Sequence, residues 1–407
     1  MSDYPARRNA ILLSAGLVCL SGMFQLVVAI ATVTLVVVTG VEGVLGLAPA
    51  IFLVSGALAV FPAGRLGDRV GRMPVIRGGF VAGILAAGTT ALGCDLESAV
   101  LVGLGFALAG ASASIVLLSR AAAAEMFPPE RRARGMSLVL FGAVAGAIFG
   151  PLVFGPMFSG KDLTSDELVL PWLASGVFML AGLLISFGVR PDPKTIGAAM
   201  FPSESPVASA APLREILRRP GVPAAMVAAV SSFAVMVGVM NLSGYVAVGR
   251  GHHHGDVFTI ISAHIVGMYG LVLVIGDLID RIGRRTALVG GLALEALSNV
   301  ALAAFGGIGG MSLALFGLGL GWSLSYVAAS TELVTLARPA ERGRLIGFSD
   351  LLASLTGAAL ALTGGVLYSA TGPVPLGFAA AALALAPAVW ISFRPPTAPA
   401  PALQTAD

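Results

Sequence analysis

The sequence predicts an all-α membrane protein, with twelve transmembrane helices in two pseudo-symmetric six-helix bundles, and three observations carry that expectation. The first is composition. Of 407 residues, 57% are hydrophobic and only 11% are charged, and the mean hydropathy is +0.94. A chain of this kind cannot cover its apolar surface in water and belongs in a bilayer. The second is a series of twelve apolar runs of about 20 residues, the length that crosses the hydrocarbon. The third is a repeat: Gly64-Arg65-Leu66-Gly67-Asp68-Arg69-Val70-Gly71-Arg72 returns as Gly276-Asp277-Leu278-Ile279-Asp280-Arg281-Ile282-Gly283-Arg284. The offset, 280 − 68 = 212 residues, is about half the chain, so two parallel halves are the simplest reading.

Each run has its own delimiters. The first, 10–34, follows Arg7 and Arg8 without a convincing cleavage site, so it reads as a span and not as a removed signal. Runs at 46–64 and 74–94 flank the first copy of the repeat. The fourth, 98–122, follows the short connection Asp95-Leu96-Glu97, and the fifth, 135–158, follows the basic stretch Pro129-Glu130-Arg131-Arg132-Ala133-Arg134. The sixth, 169–189, leads into a segment rich in Pro, Ser and Ala. The order then repeats: 222–246; 257–279 and 286–306 about the second copy; 309–333 after the glycine-rich hinge 306–310; 345–367 after Ala340-Glu341-Arg342-Gly343-Arg344; and 373–393. Glu130 and Glu341 are 341 − 130 = 211 residues apart, so a second landmark agrees with the first. The expected units are an N-terminal bundle over 1–190, a cytoplasmic linker over 191–221, a C-terminal bundle over 222–394 and a tail over 395–407. Within the linker, Leu213-Arg214-Glu215-Ile216-Leu217-Arg218-Arg219 reads as a basic amphipathic stretch on the inner membrane face.

Charge sets orientation. With the N-terminus in the cytoplasm, 22 of the 24 Lys and Arg fall on one side and only Lys161 and Arg250 fall outside, as the positive-inside rule demands. Both termini are therefore expected to be cytoplasmic, in a multi-pass protein of the bacterial inner membrane. The net charge of +3 comes from short clusters between apolar runs, which report topology and not nucleic-acid binding. Cys19 and Cys94 read as packing residues, and His252-His253-His254 as an exposed turn with no matching metal-ligand set. No phosphate-binding loop or soluble domain for ATP hydrolysis is visible, so neither an enzyme nor a primary pump is expected, and no cofactor.

The repeated motif, G-x-x-x-D-R-x-G-R followed by Met73 or Arg285, resembles the signature of the major facilitator superfamily, which lies between the second and third helices and again between the eighth and ninth. The resemblance implies a cytoplasmic gate that forms and breaks during alternating access. It assigns Gly64, Asp68, Arg69, Gly71 and Arg72, with Gly276, Asp280, Arg281, Gly283 and Arg284, to that role. In the fifth run, Gly146, Gly150, Pro151 and Gly155 resemble the G-x-x-x-G-P-x-x-G-G element of proton-coupled antiporters, with Phe154 in place of one glycine. Close helix packing accounts for the same residues. The Arg and Gln that such antiporters carry early in the fourth helix are absent from Phe106-Ala107-Leu108-Ala109-Gly110.

Ionisable groups at membrane depth are functional candidates by default. They are Glu295, with Asn299 one turn on, then Glu332, Asp350 and His264, with the Tyr269 hydroxyl a little deeper. Arg120, at the inner end of the fourth run, either snorkels or faces the interior. Gln25, Asn241, Trp322, Ser325 and Tyr326 would give a central cavity a few polar and aromatic groups in an apolar setting, which suits a hydrophobic or weakly polar small molecule. The leading expectation is a monomeric secondary transporter exporting such a molecule by antiport with protons. The alternatives are uptake of a vitamin-like or other organic nutrient, by symport or facilitated diffusion, and a non-transporting receptor with the same fold.

Overall fold

The structure, a computed structural model, describes residues 4–128, 132–158, 163–200 and 211–394, and among these every regular element is helical. The crossings are α1 (Tyr4–Thr39), α2 (Leu47–Val70), α3 (Arg72–Asp95), α4 (Ala99–Glu125), α5 (Gly135–Phe158), α6 (Ser165–Ser186), α7 (Val222–Gly249), α8 (254–282), α9 (Arg284–Ala304), α10 (Ile308–Leu336), α11 (Pro339–Thr371) and α12 (Pro373–Ser392). Proline sits in the first turn of α7, α11 and α12, where its missing N–H has no helical partner to lose.

Among the described residues, eleven of these crossings are helical stretches long and apolar enough to span a bilayer. The eighth departs from the uninterrupted span that its composition predicts. It runs as His254–Ile265, a π turn over Val266–Gly270 and a second helix over Val272–Ile282, with Leu271 at φ −102° and ψ 4° between them. The cause lies in α10: at Gly267 the two backbones approach so closely that a Cβ would sit 2.3 Å from the carbonyl oxygen of Phe316. A π segment also interrupts α5, over Gly150–Phe154, where Pro151 cannot donate to the preceding turn. The interrupted helices pack on each other.

Helix pairing repeats when six is added to each number. The pair α3/α4 recurs as α9/α10, α3/α6 as α9/α12, α2/α4 as α8/α10 and α1/α6 as α7/α12. The halves meet through α2/α11 and its counterpart α8/α5, and through α1/α7 at the pseudo-symmetry axis. Burial agrees: 72% of the α1 span and 67% of the α7 span lie inside the protein, against 28% for α2. The outward faces are apolar along their length, as with Leu58, Leu104, Leu152, Val177, Leu297 and Leu313, all exposed. In a bilayer those side chains meet lipid, so their exposure carries no hydrophobic penalty.

The signature loops mark one face, called here the basic face. The segment following α6 lies on it, because Asn9 of α1 donates to the Pro191 carbonyl at 3.0 Å and Arg8 to that of Arg190. Within that segment the helix spans Pro193–Met200, whereas only Leu213–Ile216 of the expected amphipathic stretch is helical, with Ile216 fully buried against α7, α10 and α11 side chains. On the opposite face Arg250 donates to the carbonyls of Leu302 (2.8 Å), Ala303 (3.2 Å) and Phe305 (2.7 Å), satisfying the orphan end of α9. That contact explains one of the two basic residues on the less basic side. The other, Lys161, lies outside the described residues, as do Glu130, Arg131 and the tail 395–407.

Candidate functional site

Three layers run from the basic face to the opposite face. In the first, Gly71 turns the chain between α2 and α3 in one residue at φ 102°, a conformation that favours glycine. The turn presents the first amides of α3 to Asp192, whose carboxylate accepts from Arg72 N at 3.1 Å and Met73 N at 2.9 Å. An anion suits that position, where helical N–H groups lack partners and the helix dipole is positive. Arg72 pairs with Asp68 at 2.8 Å and grips both oxygens of Glu125 on α4, with Nε to Oε2 at 3.0 Å. Lys194 donates to the Asp68 carbonyl.

The second copy is built alike at its centre, with Gly283 at φ 84° and Arg284 donating to Glu332 and Thr335 of α10, both at 3.0 Å. The side chain of Asp280 lies outside the described residues. Arg69 and Arg281 are exposed. At Gly64 and Gly276 a Cβ would meet nothing within 4 Å, so packing in this conformation does not require glycine at either.

The second layer lies deeper and joins the halves. Arg120 of α4 faces Asp350 of α11 across 3.7 Å, each about one-third exposed, and Asp350 also accepts the Tyr326 hydroxyl at 2.6 Å. Tyr326 opens an aromatic ladder. Its ring stacks on Trp322 at 5.1 Å and 14°, Trp322 meets Tyr269 of α8 edge-on at 5.9 Å, and Phe233 of α7 tilts against Tyr326 at 6.0 Å. Tyr326 lies 10 residues from the basic end of α10 and Trp322 lies 14. At ~1.5 Å per residue these are depths of ~15 and ~21 Å, near the middle of a bilayer. Tyr269, Tyr326 and Phe233 are half-buried, whereas the indole N–H of Trp322 is buried without an acceptor. The ladder thus offers ring faces and an unmet donor, with a cation, an anion and a hydroxyl at one end.

The third layer closes the opposite side. Gln25 of α1 donates to Phe258 O at 3.4 Å and Ser262 Oγ at 3.3 Å on α8, and Thr32 donates to Asn241 O of α7 at 3.3 Å. Phe258 stacks with Phe154 and Phe158 of α5, and α2 meets α11 where a Cβ on Gly46 would lie 2.1 Å from Ala361 O. The antiporter-like glycines belong to this layer: a Cβ at Gly150 would lie 2.2 Å from Gln25 Nε2, and one at Gly146 3.2 Å from Ser21. They let α5 press on α1. Gln25 and Asn241 are therefore part of the seal and stand apart from the aromatic ladder; Asn241 itself donates to Val237 O at 2.8 Å.

Two buried candidates stand outside these layers. His264 bonds Leu315 O through Nδ1 at 2.8 Å and leaves Nε2 without a partner. Glu295, fully buried on α9, accepts from Ser232 of α7 at 2.5 Å and Ser325 of α10 at 2.9 Å. Ser325 thus points behind the ladder and not into it.

Sequence reading does not single out Glu125, Asp192, Lys194, Phe233 or Ser232. An acid two residues past Arg190 in a basic linker is a signal for Asp192, because a cluster of arginines at a membrane edge needs a counter-charge. The serines carry no such mark. In the first turn of α11, ahead of the apolar span that begins at Arg344, Glu341 is fully buried and accepts from Arg219, Arg338 N and Ala211 N. The Arg219 hydrogen bonds hold its carboxyl down at about 2.

Comparison with known proteins gives a consistent picture. The family model described as "Major Facilitator Superfamily" matches residues 11–272 and again 253–407. A relative in Bacillus subtilis (strain 168), named as the uncharacterized MFS-type transporter YddS, is 28% identical over 357 residues, covering 85% of this chain and 81% of its own. The riboflavin transporter RfnT of Brucella anthropi is 31% identical over 326 residues, covering 78% of each chain. Among solved structures, the partially occluded inward-open xylose transporter XylE from E. coli superposes with a TM-score of 0.73 at 13% identity, over 97% of this chain and 98% of its own.

Proposed function

The chain belongs to the major facilitator superfamily and is a membrane transporter, not an enzyme, and we propose that its cargo is a planar, weakly polar ring system of the flavin class. One observation carries the proposal: the ladder Tyr269, Trp322, Tyr326 and Phe233 at mid-membrane, ended by Arg120 and Asp350 from opposite halves. Each aromatic pair adds ~0.5–1.5 kcal/mol beyond area burial. A ring carbonyl accepting from Trp322 would remove the ~1–3 kcal/mol cost of a buried unmet donor. The relative named as a riboflavin transporter supports the same cargo and makes riboflavin the first probe.

In this reading the basic face is cytoplasmic, both termini with it, and the membrane is the bacterial inner membrane. The bundles 1–190 and 222–394 rock about the ladder, joined by the linker 191–221. Asp68, Arg72, Asp280 and Arg284 latch the cytoplasmic side, and the protein works as a monomer. Proton-coupled efflux is the second reading, favoured by the Gly146 to Gly155 element and by acids at membrane depth.

Reconstituted protein tests the proposal. Riboflavin should quench Trp322 fluorescence saturably and cross proteoliposome membranes, and Trp322→Ala should abolish transport. If neither riboflavin nor any other planar ring compound binds, the cargo assignment is wrong. Imposing a pH gradient of either sign separates uptake from efflux.

A further inference from the structure

Behind the ladder lies a polar site that none of the three layers uses. Glu295 Oε1 is 2.5 Å from Ser232 Oγ and 2.9 Å from Ser325 Oγ, and the two hydroxyl oxygens are 2.6 Å apart. Ser325 Oγ is also 2.8 Å from Gly321 O. Three of these contacts close a triangle of oxygens that takes three hydrogens, and the two serines supply only two between them. Two oxygens that close without a hydrogen repel. The other carboxyl oxygen, Oε2, is buried with no partner at all. An ionised Glu295 leaves both conditions unmet: hydrogens are too few, and a charge at membrane depth faces no cation.

The surroundings supply none. Of the helices packed on α9, α12 carries no ionisable side chain, α7 only Tyr245, and α10 only Tyr326 and Glu332. Tyr326 is bonded to Asp350, and Glu332 to Arg284, which is 11 residues or ~16 Å along α9 from Glu295. On α8, His264 bonds Leu315 and Tyr269 meets Trp322, while His254, Asp256, Asp277, Asp280 and Arg281 lie toward the helix ends.

We propose that Glu295, Ser232 and Ser325 form a proton-binding site, loaded in the conformation described here, whose occupancy sets the spacing of the aromatic ladder. The third hydrogen sits on the Glu295 carboxyl and completes the triangle of oxygens. On release, the O–H bond of the carboxyl breaks and the proton passes to water. Both serine hydroxyls then turn to the carboxylate, and the contact between Ser232 and Ser325 loses its hydrogen. Those oxygens must separate, and the residues that follow each serine, Phe233 and Tyr326, move apart with them. Helices α9 and α10 cannot absorb the change, because their backbones already touch where a Cβ on Gly291 would lie 2.7 Å from Gly321 O. The displacement therefore falls on α7. The link to cargo rests on the ladder being the cargo site; the proton site itself does not.

Infrared difference spectroscopy on the full-length protein in nanodiscs, with no cargo present, tests the site directly. Wild type should show the carbonyl stretch of a buried protonated carboxylic acid, shifted in D2O and titrating with pH. Glu295→Gln should lose that band, and Ser232→Ala, which keeps the carboxyl, should retain it at a shifted frequency. Trp322 emission should titrate with the band in wild type and be flat in Glu295→Gln. A band that survives Glu295→Gln, a wild type without one, or a Glu295-dependent response to sodium in place of pH overturns the proposal. None of these readouts uses riboflavin, so failure of the cargo assignment and failure of the proton site are told apart.

Discussion

Gly46 opens α2 on the face opposite the signature loops and touches the backbone of α11. A Cβ there would lie 2.1 Å from Ala361 O and 2.5 Å from the Leu362 Cα. Its φ of −83° is open to any residue, so Gly46→Ala is a steric perturbation and not a torsional one. To reach ordinary contact at 3.4 Å the two backbones must part by about 1.3 Å (3.4 − 2.1). Overpacking that cannot relax costs ~1–3 kcal/mol. The clash exists only while α2 and α11 touch, and a state open on this face escapes it. The substitution should therefore shift the equilibrium toward that state by roughly 5-fold to roughly 140-fold. Spin labels at Leu96 and Val374, exposed on the two halves near this face, report the change by double electron–electron resonance. Gly43→Ala is the control, since its Cβ would sit 3.7 Å from the nearest atom. An unchanged distance distribution in Gly46→Ala, or an equal shift in the control, refutes the idea that this contact seals the face.

Asp350→Asn should weaken riboflavin binding, measured by Trp322 quenching, by roughly the 12- to 140-fold that one charge-assisted hydrogen bond implies, and Tyr326→Phe should do so to a similar extent. Arg72→Ala removes a clamp on Asp68 and Glu125 and should raise solvent exchange of the amides of Arg72 and Met73, whereas the conservative Arg72→Lys should restore part of the protection. Glu341 titrates below the ordinary carboxylate range because Arg219 favours its charged form. The stability of its clamp on the linker is complete above about 4.5 and lost as pH falls through about 2. Hydrogen exchange of residues 211–219 should therefore be flat from pH 7 to 5 after correction for intrinsic rates, and Glu341→Gln should expose the segment at pH 7. Cysteines at Arg65 and His253 should react with impermeant reagent from opposite sides of the membrane, Arg65→Cys from the cytoplasm.

The repeat, the apolar runs and the turn glycines were legible in the sequence because each is local: a span needs length and composition, and a one-residue connection needs a residue tolerant of positive φ. What supports those elements is not local. Arg72 finds Glu125 at a separation of 53 residues, α3 finds Asp192 at 120, and no pattern in either segment announces the pairing. One of the positions at which the two signatures differ shows how much is hidden. Met73 is buried, and its amide is held by a carboxylate from outside the motif. Its counterpart Arg285 instead donates to the carbonyls of Ile391 at 3.3 Å and Ser392 at 2.8 Å, the partnerless negative end of α12. The first copy brings a negative group to the start of α3, and the second brings a positive group to the end of α12. Similar motifs thus rest on unequal anchors, a carboxylate at the start of α3 in one half and a guanidinium at the end of α12 in the other.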